Sequence, residues 1–499
     1  MRLLSLISKL KKNKKILFQF PIKNISMTGT DLFFYVFNLD ENLKKINILK
    51  KEVKVAILYD NSIEYVILFF IMTLRKLIIV PINPNLSATE IKKMFLQSNS
   101  KLLITGNENL KKVRKIKKKI IYNFSSKNKK YQSLKVSLKV TNSEKNKILL
   151  LYTSGSTGVP KGSLLSEKNI LANADVILNH HKLNDKTKTL VLMPMFHNNG
   201  FIISFLSTLM SGGSTVIAPA NFIIYNFWSL IKRYRINYTS LMPSVLSMIK
   251  NFSKYSKNEN LKLIACGGQK LSSNLIRKFE KKYNLKIIEH YGLTETTSIS
   301  TIQPLSKRQL SSVGKVIKGT SIKLLNYNNI FTLKGHGEIC IKGKNVISEY
   351  YKNKSLNIKK FYKGFLKTGD YGYFDKNKNL FFTSRKDFLI IKGGENIYPA
   401  EVENALYGIK QVAECAVVGY SDKFWGQEIY AFVKTNKFNQ NLEKMILIKL
   451  SKSLAKFKIP KKIFFLGIDT KINEFPKTVT KKIIYAKLID ILKYEIFKS

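Results

Sequence analysis

The most constraining feature of the chain is a polar, glycine-rich loop that directly follows a short apolar run. The apolar run covers residues 148–151, and the loop over residues 152–162 reads Tyr-Thr-Ser-Gly-Ser-Thr-Gly-Val-Pro-Lys-Gly. The apolar run is typical of a buried strand, and glycines let backbone N–H groups approach an anion closely. Hydroxyl groups add further donors, and Lys161 adds a positive charge. The sequence therefore predicts a strand that leads into a phosphate-binding loop.

This loop differs from the common nucleotide-binding loop in its spacing. No Gly-Lys-Ser/Thr triplet closes it, and the residues after it do not clearly open a helix. A loop of this composition would also suit a polar surface turn. Its assignment therefore depends on the motifs that accompany it.

Further motifs follow the loop in order along the chain. They are Tyr291-Gly-Leu-Thr-Glu295, Thr368-Gly-Asp370, Ser384-Arg-Lys-Asp387 with Lys392-Gly-Gly-Glu-Asn-Ile-Tyr-Pro-Ala-Glu-Val-Glu403, and Pro476-Lys-Thr-Val-Thr-Lys-Lys482. Together with the loop, they resemble the ordered signature of the adenylate-forming superfamily. That superfamily includes acyl-CoA synthetases, carrier-loading adenylation domains and firefly luciferase. The hinge and terminal-lysine motifs resemble those of free-standing acyl-CoA synthetases of the fatty-acid–CoA ligase type.

The resemblance implies a reaction with ATP and Mg²⁺, and it assigns the triphosphate to the loop. Lys161 and the loop would cradle the β- and γ-phosphates through Thr153, Ser154, Gly155, Ser156, Thr157 and Gly158. Glu295 would hold Mg²⁺ as an oxygen ligand, with Thr157 as a second candidate ligand. Thr294 would donate to the α-phosphate.

The resemblance assigns the adenosine to the central motifs. Tyr291, followed by Gly292, would offer a flat face to adenine. Residues Gly267, Gly268 and Gln269 would form the opposite wall of that site. Asp370 would accept hydrogen bonds from the ribose hydroxyls, and Arg385 would add a donor.

The terminal lysine motif implies a mobile cation. Lys482 would reach the reacting oxygens only when a C-terminal lid closes for adenylation. Relatives usually have glycine before this lysine, whereas Lys481 stands there in this chain. Lys482 is chosen because it lies six residues after Pro476, which is the family spacing.

Two other segments concern the acid and the thiol. His197, in residues 193–200, matches the family's Pro-x-Phe-His segment, which lines the acyl pocket, although a purely structural histidine is the alternative. Gly393 and Gly394 match a loop that lies beside the pantetheine arm of CoA. Glycines there would let a thin thiol arm pass close to the backbone.

The order of apolar runs predicts an α/β fold. Strand-like and helical patterns alternate up to about residue 283, which favours parallel sheets covered by helices, and the lysine-rich segment 111–130 is expected to be exposed. Residues 1–386 would form a large N-terminal domain of layered, helix-covered sheets, with a small β-rich subdomain at about 314–386. Residues 387–499 would form a small mobile α+β lid, with the hinge at Asp387 and Phe388 next to it, where many relatives carry a charge.

The formal net charge of +54 raises the alternative of a surface that binds polyanions. Only 8 of the 86 basic residues are arginine, and the lysines are spread through the chain together with Asn and Ile. Dedicated phosphate recognition favours arginine, and these residue types share A/T-rich codons. No specific nucleic-acid partner is therefore expected.

Three scattered cysteines, Cys266, Cys340 and Cys415, lack metal-ligand spacing and favour a reducing, cytoplasmic location. The apolar run 67–72 is too short to span a bilayer, which needs about 20 apolar residues. Residues 1–18 lack the apolar core of a secretory signal. Their lysines leave a peripheral membrane contact open as an alternative to a packed or solvated segment.

The sequence thus predicts an ATP-dependent acyl-CoA synthetase that forms an acyl adenylate from a carboxylic acid and transfers the acyl group to CoA. A fatty acid is the first expectation, because no charged residue stands out in segments 201–209 and 239–248. A small dicarboxylic acid or an aryl acid stays open as the substrate, and a carrier-protein thiol stays open as the acceptor. The alternative outside enzymes is a basic nucleic-acid-binding protein with a degenerate fold.

Overall fold

The structure is a computed structural model of the 499-residue chain. It describes residues 3–44, 52–114, 116, 120–123, 146–153, 160–252, 259–269, 271, 273–385, 388–392, 395–422, 424–435, 438–477 and 483–498. Among these residues, no helix is both long and apolar enough to cross a membrane.

Helices and strands alternate through the first half of the chain, and strands predominate afterwards. The helices are α1 (Leu3–Leu10), α2 (Gly29–Lys44), α3 (Ile63–Leu74), α4 (Ala88–Gln97), α5 (Leu110–Val113), α6 (Glu167–His180), α7 (Ser207–Met210), α8 (Ala220–Tyr234), α9 (Pro243–Phe252), α10 (Ser273–Tyr283), α11 (Lys354–Lys360), α12 (Pro399–Tyr407), α13 (Leu442–Ser451) and α14 (Tyr485–Lys498). A π-helical segment, Asn199–Leu206, precedes α7.

The strands, in chain order, are β1 (Ile16–Phe20), β2 (Ile25–Thr28), β3 (Lys54–Leu58), β4 (Ile78–Pro81), β5 (Leu102–Thr105), β6 (Ile120–Asn123), β7 (Lys147–Thr153), β8 (Lys161–Ser166), β9 (Lys188–Val191), β10 (Ser214–Ile217), β11 (Tyr238–Leu241), β12 (Leu263–Gly267), β13 (Lys286–Tyr291), β14 (Thr301–Ile302), β15 (Lys315–Val316), β16 (Thr320–Leu325), β17 (Phe331–Thr332), β18 (Gly337–Gly343), β19 (Phe361–Tyr362), β20 (Phe365–Phe374), β21 (Leu380–Arg385), β22 (Ile390–Lys392), β23 (Glu395–Ile397), β24 (Val412–Asp422), β25 (Gly426–Thr435) and β26 (Lys462–Phe465).

Two largely parallel sheets form the N-terminal part. Sheet A has the strand order β15-β14-β13-β12-β11-β9-β10-β1-β2, and sheet B has the order β6-β5-β3-β4-β7-β8. Side chains alternate between the faces of each sheet, so Val55 and Ile57 of β3 face the core between the sheets. Ala56 and Leu58 face the opposite side, where α4 covers sheet B. Helices α8, α9 and α10 cover the outer face of sheet A.

Helix α3 lies in the core between the two sheets, which explains its uninterrupted apolar sequence. Ser62 caps its first turn by accepting a hydrogen bond from Tyr65 N, and residues 63–73 are all buried. Phe69 packs edge-on against Phe201 of the π-helical segment, with ring centroids 4.7 Å apart. A helix buried on every side has no need of a polar face, so the apolar run 67–72 belongs to a buried helix.

The β-rich part is an antiparallel sheet, sheet C, with the order β17-β16-β18-β20-β19 and with β21 paired to β20. Its strands span residues 320–385 and are joined by turns rich in glycine, asparagine and aspartate. Antiparallel neighbours need only short connections, so this region contains few helices.

The C-terminal part is a compact α+β unit built on sheet D, which has the order β23-β22-β25-β24 with β26 paired to β25. Helices α12 and α13 cover one face of this sheet. Helix α14 covers the other face. Phe388 stacks on Tyr485 with ring centroids 4.8 Å apart, so the residue that follows the predicted hinge is fixed inside this unit.

Aromatic stacking connects the C-terminal unit to sheet C. His336, in the turn before β18, stacks on Tyr398, the residue before α12, at 5.3 Å and an interplanar angle of 13°. His336 also packs on Tyr373 of β20, and Tyr373 stacks on Phe381 of β21. These contacts hold the start of α12 against sheet C.

The predicted α/β fold class is confirmed, and the predicted alternation of strands and helices up to about residue 283 is observed. The expectation that segment 111–130 is exposed holds for Lys111 and Arg114 but is wrong for two apolar residues. Val113 and Ile116 are buried, and β6 extends sheet B beside β5. The frequent lysines of the segment hide a short apolar run, Ile120-Ile-Tyr122, that supplies a strand. The basic N-terminal segment is packed, because α1 buries Leu3, Leu6, Ile7 and Leu10.

The side chain of Asn61 ties sheet B to sheet A. Asn61 follows β3, and its amide donates to the carbonyls of Val191, Met193 and Ala218 at 3.1–3.2 Å. Its oxygen accepts from Met195 N at 2.7 Å. All of these groups lie in the core, where a lost partner would leave a polar group without water.

We expect the substitution Asn61→Leu to lower the free energy of unfolding by about 3 kcal/mol, because it leaves buried backbone groups unsatisfied. Chemical denaturation of the purified chain measures this loss. Asn226→Leu is the matched control, since Asn226 is exposed and its side-chain amide donates within α8 to Phe222 O. Equal stability of the two variants would contradict the assigned role of Asn61.

Candidate active site

The site lies at the carboxyl edge of the parallel strands of sheet A. Strand β12 ends at Gly267, and strand β13 ends at Tyr291, two residues short of the 3₁₀ turn Thr294–Thr296. Ligands of open parallel sheets bind beyond the carboxyl ends of the strands, because the connecting loops converge there. The described parts of the predicted nucleotide motifs meet at this edge.

Asp370 is the best-anchored acidic group of the site. It is buried in β20, and its Oδ2 accepts from the hydroxyl of Tyr291 at 2.7 Å. Its Oδ1 accepts from Nε of Arg385 at 2.7 Å. Each carboxylate oxygen has a second lone pair, so Asp370 keeps acceptor capacity for hydroxyls of a ligand. The carboxylate of Asp370 raises the pKa of Arg385, and burial, followed by Asp370, raises the pKa of Tyr291 well above its ordinary value.

The turn around Asp370 follows from its sequence. Gly369 has a φ of +80°, which a residue with a Cβ adopts only with strain. Thr368 accepts from Asp370 N and donates to Ile339 O, so the turn is fixed from both sides. Glu338 of β18 accepts from Gly369 N at 3.0 Å. Asp370 therefore points from a rigid position in sheet C toward sheet A.

Glu295 lies in the 3₁₀ turn after β13 and is held by the segment after β18. Its Oε1 accepts from the hydroxyl of Tyr350 at 3.0 Å, and its backbone oxygen accepts from Ile347 N at 2.9 Å. Burial and the neighbouring carboxylate raise the pKa of Tyr350. Tyr350 therefore stays a neutral donor and orients the Glu295 carboxylate.

The predicted phosphate loop connects two antiparallel strands, so a hairpin strand and not a helix follows it. Thr153 at the end of β7 pairs with Lys161 at the start of β8. Gly162 O accepts from Tyr351 N, and Ser163 forms a bridge with Tyr350. The base of the loop is thus joined to the segment that holds Glu295.

Sequence reasoning missed three residues that the structure brings to this place. They are Glu338, Tyr350 and Lys360. These three residues surround the site together with residues that the sequence had predicted. We call the charged residues of this set the charged cluster: Lys161, Glu295, Glu338, Lys360, Asp370 and Arg385. Burial lowers the pKa of Lys360, while Glu338 and Glu295 raise it. Only the position of Glu338 in the glycine-bounded run 337–343 offered a signal in the sequence.

A magnesium ion fits the donor set of this site. Mg²⁺ bound with a nucleotide uses one or two carboxylates together with phosphate oxygens and water. Glu295 supplies such a carboxylate, and its Oε1 is already oriented by Tyr350. Within the described residues there is no cluster of three or more His, Cys, Asp or Glu side chains that would hold a metal by itself. The site therefore suits a cation that arrives with ATP, which would neutralise phosphate charge.

Glycines at the strand ends allow close approach of other groups. A Cβ on Gly267 would meet the imidazole of His290, and a Cβ on Gly292 would meet the carbonyl of Ser298. Gly268 has a φ of +85° and open space around it. Gly267 and Gly292 thus serve the packing of the edge, whereas Gly268 leaves room for a ligand.

His197 lies between β9 and the π-helical segment. Its backbone oxygen accepts from Phe201 N, and its ring packs on Phe196 at 4.7 Å. The next residues carry further polar groups, since Asn199 accepts from Ser240 of β11. His197 is therefore at the edge of sheet A, next to the side chains that line the start of the π-helical segment.

Several predicted site residues lie outside the described residues. They are Ser154, Gly155, Ser156, Thr157, Gly158, Asp387, Gly393, Gly394 and Lys482, together with the side chain of Thr153. Their roles stay predictions. Thr294, Gly267, Gly268, Gln269, Tyr291 and Gly292 lie at the edge of sheet A or in the turn after it.

Comparison with known proteins agrees with this geometry. Residues 11–351 match the family AMP-binding enzyme, and residues 401–482 match the AMP-binding enzyme C-terminal domain. Probable CoA ligase CCL9 of Humulus lupulus is 30% identical over 451 residues, which cover 86% of this chain and 85% of that protein. The 2-succinylbenzoate–CoA ligase of Bacillus subtilis is 33% identical over 70% of this chain and 69% of its own length. The long-chain-fatty-acid–CoA ligase FadD13 of Mycobacterium tuberculosis is 26% identical over 93% of each chain.

A solved structure of o-succinylbenzoate CoA synthetase from Bacillus subtilis, in complex with its acyl-adenylate intermediate, superposes with a TM-score of 0.83. That comparison covers 98% of this chain and 97% of the other at 26% identity. The same synthetase in complex with ATP and magnesium ion also superposes with a TM-score of 0.83. The chain belongs to the AMP-binding enzymes, the adenylate-forming superfamily, as an AMP-forming acid–CoA ligase that uses ATP, Mg²⁺ as cofactor and CoA as co-substrate.

Proposed function

We propose that this ligase first joins a carboxylic acid to the α-phosphate of ATP, and that the thiol of CoA then displaces AMP from the acyl adenylate. The observation that carries the proposal is the charged cluster, in which three cations face three carboxylates at the edge of sheet A. Attack of a carboxylate on a triphosphate brings two anions together. Fixed cations lower the barrier for such a step, because they need not reorganise as charge moves.

The described residues divide this work between them. Lys161, at the start of β8, would neutralise the charge of the β- and γ-phosphates, and Asp370 with Arg385 would hold the ribose. Thr294 would donate to the α-phosphate from the 3₁₀ turn. Glu295 would hold the Mg²⁺ that neutralises the triphosphate. Pyrophosphate leaves with the electrons of the bond between the α-phosphorus and the bridging oxygen. The negative charge on pyrophosphate increases as this bond breaks, and the cations stabilise that charge.

The C-terminal unit would act as a lid that serves both steps. We propose that Lys482 reaches the reacting oxygens in adenylation, and that the hinge at Asp387 then turns Gly393 and Gly394 toward the pantetheine arm. These glycines lie in the chain between β22 and β23. Lys392, directly before them, pairs with Glu428 of β25 and fixes that end of β22 to sheet D.

A fatty acid is one candidate substrate, and it is supported by the apolar side chains of the π-helical segment. Phe201, Ile202, Ile203, Phe205 and Leu206 are all buried there. An apolar surface of this kind suits an alkyl chain. The ligase FadD13 of Mycobacterium tuberculosis, which is named for long-chain fatty acids, is related over nearly the whole chain.

Three buried polar groups favour a small dicarboxylic or aryl acid instead, and we place this candidate first. Among the described residues, no hydrogen-bond partner is found for the amide of Asn198, the hydroxyl of Ser204 or Nδ1 of His290. A buried polar group without a partner costs about 1–3 kcal/mol. The packing of His290 on Gly267 places it at the same sheet edge as the adenylate motifs. A second polar group on the substrate would satisfy such side chains.

Carboxylate-dependent ATP–pyrophosphate exchange tests the first step. We expect exchange in the native chain and a loss of about 100-fold or more in Glu295→Gln and in Lys482→Ala. The first variant lacks a proposed Mg²⁺ ligand, and the second lacks a cation that would stabilise the negative charge of the transition state. Glu349→Gln and Lys487→Met are the controls, since both side chains are exposed. A native chain without exchange on any acid would contradict the proposed adenylation step.

Purified CoA and a phosphopantetheinylated carrier protein, offered in turn to the adenylated enzyme, test the second step. We expect acyl transfer to CoA, because the terminal motif of the chain resembles that of free-standing ligases. The readout is the acyl thioester formed per acyl adenylate consumed. Transfer to the carrier protein alone would overturn this assignment without affecting the adenylation step.

A panel of decanoate, 2-hydroxybenzoate and succinate tests the acid. We expect the highest kcat/KM for an acid with a second polar group. In Ser204→Ala the kcat/KM for that acid should fall about tenfold, because one hydrogen bond is lost. Decanoate turnover should change less than about twofold, within the range of an unaffected contact. Ser229→Ala is the control, since Ser229 is exposed on α8. Preference for decanoate, with no effect of Ser204→Ala, would restore the fatty-acid candidate.

The pH dependence of stability tests the environment of His290. Burial lowers its pKa from 6.5 to about 4, so the unfolded chain binds a proton more tightly than the folded one. Stability should therefore fall as the pH drops from about 6.5 to about 4, by about 3 kcal/mol from this group. His290→Gln should flatten that part of the profile in denaturation at several pH values. Parallel profiles for variant and native chain would show that His290 is solvated.

A further inference from the structure

Lys360 is a cation of the site that no sequence motif predicted. It is the last residue of α11, and its Nζ donates to Lys367 O at 3.3 Å. The same Nζ lies 3.4 Å from the position that a Cβ would take on Gly369. The ammonium therefore lies against the turn that carries Asp370.

The direction of α11 is fixed by hydrogen bonds to the segment that holds Glu295. Asn353 caps the helix by accepting from Leu356 N. Asn357 accepts from Tyr350 N at 2.7 Å and donates to Tyr350 O at 3.3 Å. Because Tyr350 also donates to Glu295, one rigid chain of contacts leads from the proposed magnesium ligand to the helix that ends in Lys360.

The electrostatic surroundings of Lys360 are those of a ligand site. Burial lowers its pKa first, while Glu338 and Glu295 raise it and Lys161 and Arg385 lower it. An ammonium has three donors, and among the described residues Lys367 O is the acceptor in its hydrogen bond. A partly buried ammonium that donates to one described backbone carbonyl, and that interacts electrostatically with two carboxylates and two cations, is suited to an anionic ligand.

We propose that Lys360 is a phosphate-binding residue of the ATP site, and that its ammonium contacts the β- or γ-phosphate and stays with the pyrophosphate when it leaves. This inference rests on the proposed adenylation reaction. Lys360 is grouped electrostatically with Glu295, the proposed magnesium ligand, and with Lys161, the cation at the base of the phosphate loop. AMP lacks the β- and γ-phosphates, so its binding would not use Lys360.

Calorimetric titration of the full chain tests this assignment, with Mg²⁺ and α,β-methylene-ATP, with inorganic pyrophosphate and with AMP. Lys360→Met should weaken the binding of the ATP analogue and of pyrophosphate by about tenfold, the effect of one lost charge-assisted hydrogen bond. AMP binding should change less than about twofold. Lys360→Arg should restore most of the loss.

Lys359→Met is the matched control, because Lys359 is the exposed neighbour on the same helix. Two outcomes would overturn the proposal and assign Lys360 a structural role. One is that Lys360→Met weakens the binding of AMP and of the ATP analogue equally. The other is that it lowers the melting temperature and leaves ligand binding unchanged. The two hypotheses fail separately. A native chain that binds the ATP analogue but catalyses no carboxylate-dependent exchange refutes the proposed reaction, whereas an active chain with unaltered Lys360→Met binding refutes only the phosphate contact.

Discussion

The site depends on one buried carboxylate that joins two parts of the fold. Asp370 belongs to sheet C, yet one of its oxygens is bound by Tyr291 at the end of a sheet A strand. Its other oxygen is bound by Arg385, just before the predicted hinge. A buried carboxylate is stable only when donors surround it, so these bonds fix the distance between sheet C and the edge of sheet A. The remaining residues of the site are positioned within that frame.

A second chain of contacts positions the groups on the phosphate side. Tyr350 binds Glu295 through its hydroxyl, bridges to β8 through its backbone and holds α11 through Asn357. Arg385 is paired with Asp370, and Lys360 interacts electrostatically with Glu338 and Glu295, so these charges are partly balanced before a nucleotide arrives. Bound MgATP would then replace interactions between protein charges with interactions between protein and ligand, which limits the cost of desolvating the cations.

The C-terminal unit is attached by contacts of a different kind. His336 and Tyr398 stack face to face, and Tyr373 extends the stack into sheet C. Stacked rings slide and separate more readily than a buried ion pair breaks, because no charge is left without a partner. The contrast between a rigid ionic core and an aromatic contact at the start of α12 is compatible with the lid motion that we propose for this unit.

The sequence by itself determined the fold class and four of the six residues of the charged cluster, namely Lys161, Glu295, Asp370 and Arg385. The alternation of apolar runs and the local motifs around Lys161, Glu295 and Asp370 are short-range signals, readable without knowledge of the chain path. Such signals failed where lysines surrounded the short run that forms β6. They also did not predict the hydrogen bonds by which Asn61 connects sheet B to sheet A.

Only the tertiary structure decided which further residues complete the site. Tyr350 and Lys360 lie in a stretch of lysines and asparagines with no distinguishing pattern. Their importance comes from hydrogen bonds and charges that join residues far apart in sequence, such as Tyr350 and Glu295. A hydrogen bond requires donor and acceptor within about 3 Å in the right direction, and periodicity along a chain does not carry that information. The residue types determine the chemistry of the charged cluster, but its geometry results from the packing of sheet C against the edge of sheet A.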